Sequence, residues 1–216
     1  MLDAGARWVE FDVQLTADLQ PVVIHDENLQ RLTGSSRRIT RLSSVDLENI
    51  RVHGPDNGRE PIPALANALS LFDHHPGATA LVELKRSSIR RFGRATAVGI
   101  VLEKIRHASC PCVFLSFDHR AVDLAREMSA HATGWVFRPW SWRAWWRARR
   151  LQPDYLFIRA DRVPAGPHPF WPGAWKWVAY GIDSEAEAHS IHARGADLVE
   201  VDNLPAMLNR EEKLED

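Results

Sequence analysis

A single α/β domain built on a parallel sheet, either open and doubly wound or closed into a barrel, is the architecture this sequence predicts. From residue 78 onward, short β-branched apolar stretches alternate with helical ones at the length of repeated β-α units. Near the start, two apolar stretches lie too close together for a parallel crossover and must form an antiparallel hairpin. No glycine-rich phosphate loop follows any strand, which counts against a nucleotide-binding sheet.

Composition sets the outer bounds. The 216 residues are 45% apolar and 25% charged, enough for one large core in a globular chain. A net charge of −1 gives no general pull toward nucleic acid or an anionic membrane. No apolar stretch approaches a membrane span, and the first residues lack the basic start and apolar run of a signal peptide. Cys110 and Cys112 share one face of a strand, poorly placed for a disulfide and too few for a metal. They read as buried thiols of a reducing compartment, the cytoplasm.

Taken in order, residues 1–6 form the last turn of a helix with Gly5 as its cap. Trp8–Thr16 and Pro21–Asp26 are the two strands of the hairpin, joined through Ala17-Asp18-Leu19-Gln20. Residues 27–41 are polar and turn-rich, the composition of a surface loop, and 27–62 together form an insertion-like region. Ser43 or Ser44 caps a short helix over 45–50. Gly54–Gly58 breaks the chain, and Pro63 opens a helix through Phe72. Strands follow at 78–84, 112–117, 133–137, 155–158, 176–180 and 197–201, and helices at 90–107, 120–129, 141–150 and 184–194. A Pro/Gly-rich connection spans 163–173. Residues 1–209 make one domain, and 210–216 are a charged tail.

The chemistry lies at strand ends. Glu10 and Asp12 are two apart and share a face, with Val9, Phe11 and Val13 on the other. A turn centred on Asp18-Leu19 sets Asp12 opposite His25. Such a pair alone reads first as the wet face of a half-exposed strand, but Glu83 and Lys85 repeat the pattern at the end of Leu81-Val82. Barrel active sites are built where strands end, so both pairs can meet over one cavity. Three carboxylates suit a hard divalent cation, Mg²⁺ or Ca²⁺, and a lysine beside them suits an anionic substrate. Acids, metal, lysine and histidine together make a phosphate-ester hydrolysis site.

These residues carry a family resemblance. Gly5-Ala6-Arg7-Trp8-Val9-Glu10-Phe11-Asp12-Val13-Gln14-Leu15-Thr16 and Pro21-Val22-Val23-Ile24-His25-Asp26 resemble the core motif of glycerophosphodiester phosphodiesterases. Arg31-Leu32-Thr33-Gly34, Ile62-Pro63, Glu83-Leu84-Lys85, Ser116-Phe117 and Gly195-Ala196-Asp197 with Asp202 fall in the family's order. The resemblance implies a (β/α)₈ TIM-type barrel with a small insertion after His25-Asp26. It implies metal-dependent cleavage of glycerophosphodiesters to glycerol 3-phosphate and an alcohol, in lipid and glycerol metabolism. By position, Glu10, Asp12 and Glu83 would bind the metal, His25 would act as general acid or base, and Lys85 would contact phosphate. Trp177 would be a substrate-facing aromatic.

The sequence also departs from the family. The opening His-Arg-Gly strand, with its second catalytic histidine, and the following Pro-Glu-Asn segment have no counterpart here. The barrel is therefore expected to lack its first β-α unit, leaving unpaired edges. The native protein is expected to be longer, with Met1 an internal start, and the 216-residue chain poorly soluble and nearly inactive. Rival readings are a phosphodiesterase of similar barrel acting on phosphoinositide or sphingolipid headgroups, and a non-catalytic barrel that binds phosphodiesters.

The remaining polar and aromatic candidates read more simply. His119, after Ser116-Phe117 at a strand end, has the face to reach the cavity, but is expected in the solvated first turn of the following helix. His74, His75, His189 and His192 fall on helices or loops as surface residues. Trp140, Trp142, Trp145 and Trp146 alternate with Arg143, Arg147, Arg149 and Arg150. That spacing fits an outer helix that packs tryptophan on the barrel and keeps arginine in water, and equally a peripheral, membrane-contacting helix. The packed reading is the expectation.

Overall fold

The structure is a computed structural model that describes residues 1–53, 59–167, 169–202 and 204. The expected break at 54–58 and the charged tail at 210–216 lie outside the described residues.

Strand β1 (Trp8–Leu15) follows a 3₁₀ turn capped by Gly5, whose φ of +85° suits only glycine without strain. It pairs antiparallel with β2 (Pro21–Val23), with Val13 opposite Val23. The register is thus one residue away from the expected one. The Ile24 amide donates to the Asp12 carbonyl, so Ile24 and not His25 sits across from Asp12. The cause is a loop of three residues: Thr16 and Gln20 close it by hydrogen bonds, and Leu19 adopts φ +63°.

The insertion is more than a surface loop. It carries α1 (Gln30–Thr33), α2 (Ser44–Glu48) and a two-stranded pair, β3 (Arg51–His53) with β4 (Arg59–Pro61). Leu29 and Ile39 are fully buried in a satellite core with Val22, Ile24, Leu47 and Ile62. Ser43 caps α2 through a reciprocal box with Asp46. The next helix, α3 (Leu65–Ser70), begins two residues after Pro63.

From β5 (Thr79–Leu84) the expected alternation holds, with one change. The helix expected at 90–107 is two: α4 (Arg86–Phe92) and α5 (Arg94–Arg106), divided at Gly93. Gly93 has φ +84° and ψ 155°, a region only glycine enters cheaply, so the chain turns there. Then come β6 (Cys112–Ser116), α6 (His119–Met128), β7 (Ala132–Phe137), α7 (Trp142–Leu151) and β8 (Tyr155–Arg159). Strand β9 (Lys176–Ile182), α8 (Glu185–Ala193) and β10 (Leu198–Val201) complete the order.

One sheet runs β10-β9-β8-β7-β6-β5-β1-β2, every pair parallel except β1 with β2. It is curled. Trp8 on β1 and Tyr155 on β8 lie four strands apart, about 19 Å in a flat sheet. Their ring centroids are 5.7 Å apart. Leu81, Val113, Leu115, Val136, Phe157 and Val178 fill the space enclosed by this curl. The helices cover the outer face, where Val13, Leu15, Leu84, Phe114 and Val101 are fully buried. This is an α/β TIM-type barrel. Among the described residues, β1 and β10 are not bonded to each other, and a cavity of about 640 Å³ lies between them.

Candidate active site

The parity of β1 decides the site. Val9, Phe11 and Val13 join the outer core, so Glu10 and Asp12 turn inward. The parallel register of β1 with β5 then sets Asp12 directly beside Glu83. Oxygens of Glu10, Asp12 and Glu83 all lie within 4.8 Å of one another. Lys85, just past the end of β5, returns over them. Its Nζ is 2.7 Å from Asp12 Oδ1 and 2.9 Å from Glu83 Oε1. The Asp12 contact is a hydrogen bond, whereas buried Glu83 Oε1 has no donor in hydrogen-bonding geometry and meets the ammonium only as an ion pair. The four residues, with His25, line one cavity of about 270 Å³ at the C-terminal ends of the strands.

His25 is held from behind. Fully buried Gln14 donates through Nε2 to the carbonyls of Ile24 (3.2 Å), His25 (3.3 Å) and Asp26 (2.6 Å). Its Oε1 accepts from Ser87 Oγ at 2.6 Å, and the neighbouring Ser88 Oγ accepts the Leu15 amide at 2.8 Å. The His25 ring pairs with Asp26 at 2.8 Å, and Arg31 holds the other Asp26 oxygen at 2.6 Å.

The electrostatics are those of crowded acids. Burial, then Asp12, Glu200 and Glu83, push the Glu10 carboxyl well above its ordinary range. Burial also raises Glu83, against the pull of Lys85. For Lys85, burial favours the neutral amine, but Glu83 and Asp12 outweigh it and hold the ammonium above its usual value. Burial, followed by Glu83 and Asp12, raises Glu200 to about 7.

Glu200 and Tyr180 line the same cavity, and motif reasoning on the sequence does not reach them. A signal for Glu200 exists: Glu200 and Asp202 repeat the two-residue acidic spacing of Glu10 and Asp12 at the end of an apolar strand. Trp177, expected to face substrate, does not. It alternates with inward Val178 and Tyr180, so it points to the outer layer, where it is buried. There its indole N–H donates to the Trp171 carbonyl at 3.0 Å, and it stacks on Trp140. Between β8 and β9 the described residues carry a 3₁₀ turn at Ala160–Arg162, and Phe170 and Trp171 of that connection pack on Trp140 and Trp177. His119 lies in the first turn of α6, as expected, and meets Trp135 edge-on away from the cavity.

The donor set fits a metal. All three converging groups are carboxylates, and one oxygen is buried without a hydrogen-bond donor, a combination suited to a hard divalent cation.

Comparison with known proteins gives one family. The model of the Glycerophosphoryl diester phosphodiesterase family matches residues 1–166. YhdW of Bacillus subtilis is 32% identical over 127 residues, which cover 57% of this chain and 51% of YhdW. A glycerophosphodiester phosphodiesterase of Bacillus altitudinis is 30% identical over 135 residues, 60% of this chain and 54% of the relative. The chain thus spans about half the length of the curated relatives it matches. A glycerophosphodiester phosphodiesterase from Parabacteroides distasonis superposes with a TM-score of 0.79 at 19% identity, covering 100% of this chain and 87% of that one. An Oleispira antarctica phosphodiesterase, solved with its product sn-glycerol-3-phosphate, superposes at 0.77 with 22% identity over 92% of this chain and 82% of that one. These likenesses show the same fold.

Proposed function

Because this chain belongs to the glycerophosphoryl diester phosphodiesterase family, we propose that it hydrolyses glycerophosphodiesters to glycerol 3-phosphate and an alcohol. The observation that carries the reading is the convergence of Glu10, Asp12 and Glu83 beside Lys85 and His25 in one cavity. Glu10, Asp12 and Glu83 would hold one divalent cation, Mg²⁺ or Ca²⁺. Such a cation, when bound, polarises a phosphoryl oxygen. Lys85 supplies a fixed positive charge for the phosphate. His25, exposed at the cavity mouth and oriented by Asp26, moves a proton to or from the reacting oxygens.

The place that fits is lipid and glycerol metabolism in the cytoplasm. Cys110 and Cys112 support a reducing compartment: both are free thiols, and burial pushes Cys112 up to about 12. Among the described residues, no helix is long and apolar enough to cross a membrane. A second reading, a barrel that binds phosphodiesters without turnover, is favoured by one observation. Among the described residues lining the cavity, His25 is the only histidine.

Calorimetric titration of Mg²⁺ and of Ca²⁺ into the wild type and Glu83→Ala, paired with release of glycerol 3-phosphate from glycerophosphocholine, tests both. Metal binding is expected in the wild type and lost in the variant, with turnover following the metal. Equal binding by the two proteins would overturn the ligand assignment. Binding without turnover would favour the non-catalytic barrel.

A further inference from the structure

The tryptophan-rich helix does not pack as its sequence suggests. Helix α7, capped by Ser141, rests on the barrel through Ala144, Ala148 and Leu151. These small residues and one leucine let it lie close, and they leave no room for indoles beneath it. Trp142 and Trp146, one turn apart, are therefore 66% and 59% exposed. At 100° per residue they stand on the line farthest from the barrel, with Arg149 and Arg150 continuing it and Arg143 and Arg147 beside it. All four arginines are exposed, and among the described residues none has a carboxylate within ion-pair distance. Three lie over indoles instead: the Arg143 guanidinium is 4.9 Å from the Trp142 ring centroid, Arg149 is 5.0 Å from Trp145, and Arg147 is 5.9 Å from buried Trp135. Between α7 and α6 runs a groove of about 930 Å³, whose α6 side adds Arg120 and a single acid, Asp123.

We propose that this face docks on an anionic phospholipid bilayer. Exposed tryptophans flanked by arginines match the headgroup level of a membrane, where indoles sit at the boundary and guanidinium groups meet phosphate. The charge is local, since the whole chain carries −1. A soluble anion would use the arginines of the groove, which Trp142 and Trp146 also line, but would leave most of both indoles, 66% and 59% exposed, facing water. The surface also has a direction. Strand β7 ends at Phe137 and α7 begins at Trp142, so the first turn of α7 lies at the barrel end that holds the carboxylate cavity. Docking through Trp142 brings the cavity mouth beside the membrane.

Co-sedimentation with phosphatidylcholine vesicles, with and without phosphatidylglycerol, tests this on the whole chain. The wild type should pellet with the anionic vesicles and stay in solution with the neutral ones. Added salt should weaken the binding through the arginines. Trp142→Ala with Trp146→Ala should lower partitioning by at least about tenfold, the scale of losing buried aromatic area. Arg143→Gln with Arg150→Gln should lower it as well, and serves as a second variant if the first does not fold. Circular dichroism should be unchanged in both, because all four side chains are exposed. Equal pelleting by wild type and both variants would overturn the proposal. So would no binding to either vesicle, binding of inorganic phosphate alone, or a dimer in sedimentation velocity that dissolves in the tryptophan variant.

Discussion

Glu200 shows how a single residue sets a pH dependence. Its folded value of about 7 lies above the ordinary 4.5, mainly because it is buried among other acids. The folded state therefore holds a proton that the unfolded state has released, and stability falls as pH rises from 4.5 through about 7. Above that window the loss is complete, on the order of 3 kcal/mol from a shift of this size. Glu10 and Glu83 are raised too and add in the same direction. Without divalent cation, urea unfolding midpoints should drop across this window, and Glu200→Gln should flatten the drop. An unchanged slope in the variant would remove Glu200 from the cause. Glu10, Asp12, Glu83 and Lys85 are legible in the sequence because charged groups two apart at the end of an apolar strand share one face and must find a partner or a cation there. Glu200 carries the same mark but sits on the last strand, where the family motif draws the eye to Asp202 instead. Trp177 is misplaced by motif alone because a family position says what occurs in a strand, while strand parity decides which way it points.

At the scale of elements, the hairpin and α4 act as one piece through Gln14. One buried amide satisfies three carbonyls of the His25 segment and is itself fixed by Ser87. Gln14→Leu leaves those buried acceptors bare, at a cost of about 1–3 kcal/mol in unfolding free energy. Turnover should fall further than KM rises, because the His25 backbone loses its anchor while Lys85, proposed to contact phosphate, keeps its ion pairs with Asp12 and Glu83. Unfolding and steady-state kinetics check both; a variant as stable as the wild type would show that water replaces the amide. Element order and type are legible from periodicity nearly throughout. The hairpin register is not, because moving a loop by one residue leaves the apolar pattern almost the same while changing every cross-strand partner. Nor is the break at Gly93, since a glycine inside a helical pattern shows its purpose only once φ is seen. The satellite core under 27–62 leaves little trace in the sequence because Leu29 and Ile39 are isolated in a polar stretch, and burial there comes from folding back on β2.

For the whole molecule, the seam between β1 and β10 acts as a clock. In a parallel strand, successive residues direct their amides to opposite neighbours. On β1, Asp12 faces the β2 side, accepting from Ile24, and Val13 faces β5, accepting from Lys85. By the same alternation, Val9 and Phe11 face β5, while Trp8 and Glu10 face the seam, where among the described residues their amides have no backbone partner. Hydrogen exchange followed residue by residue should then alternate within one strand. Val9 and Phe11 should wait for the sheet to open, and Trp8 and Glu10 should exchange far sooner. Uniform protection along β1 would show that another strand occupies the seam in solution. The amide of Glu10 thus reports, in minutes against hours, whether the wall that carries the converging carboxylates is closed.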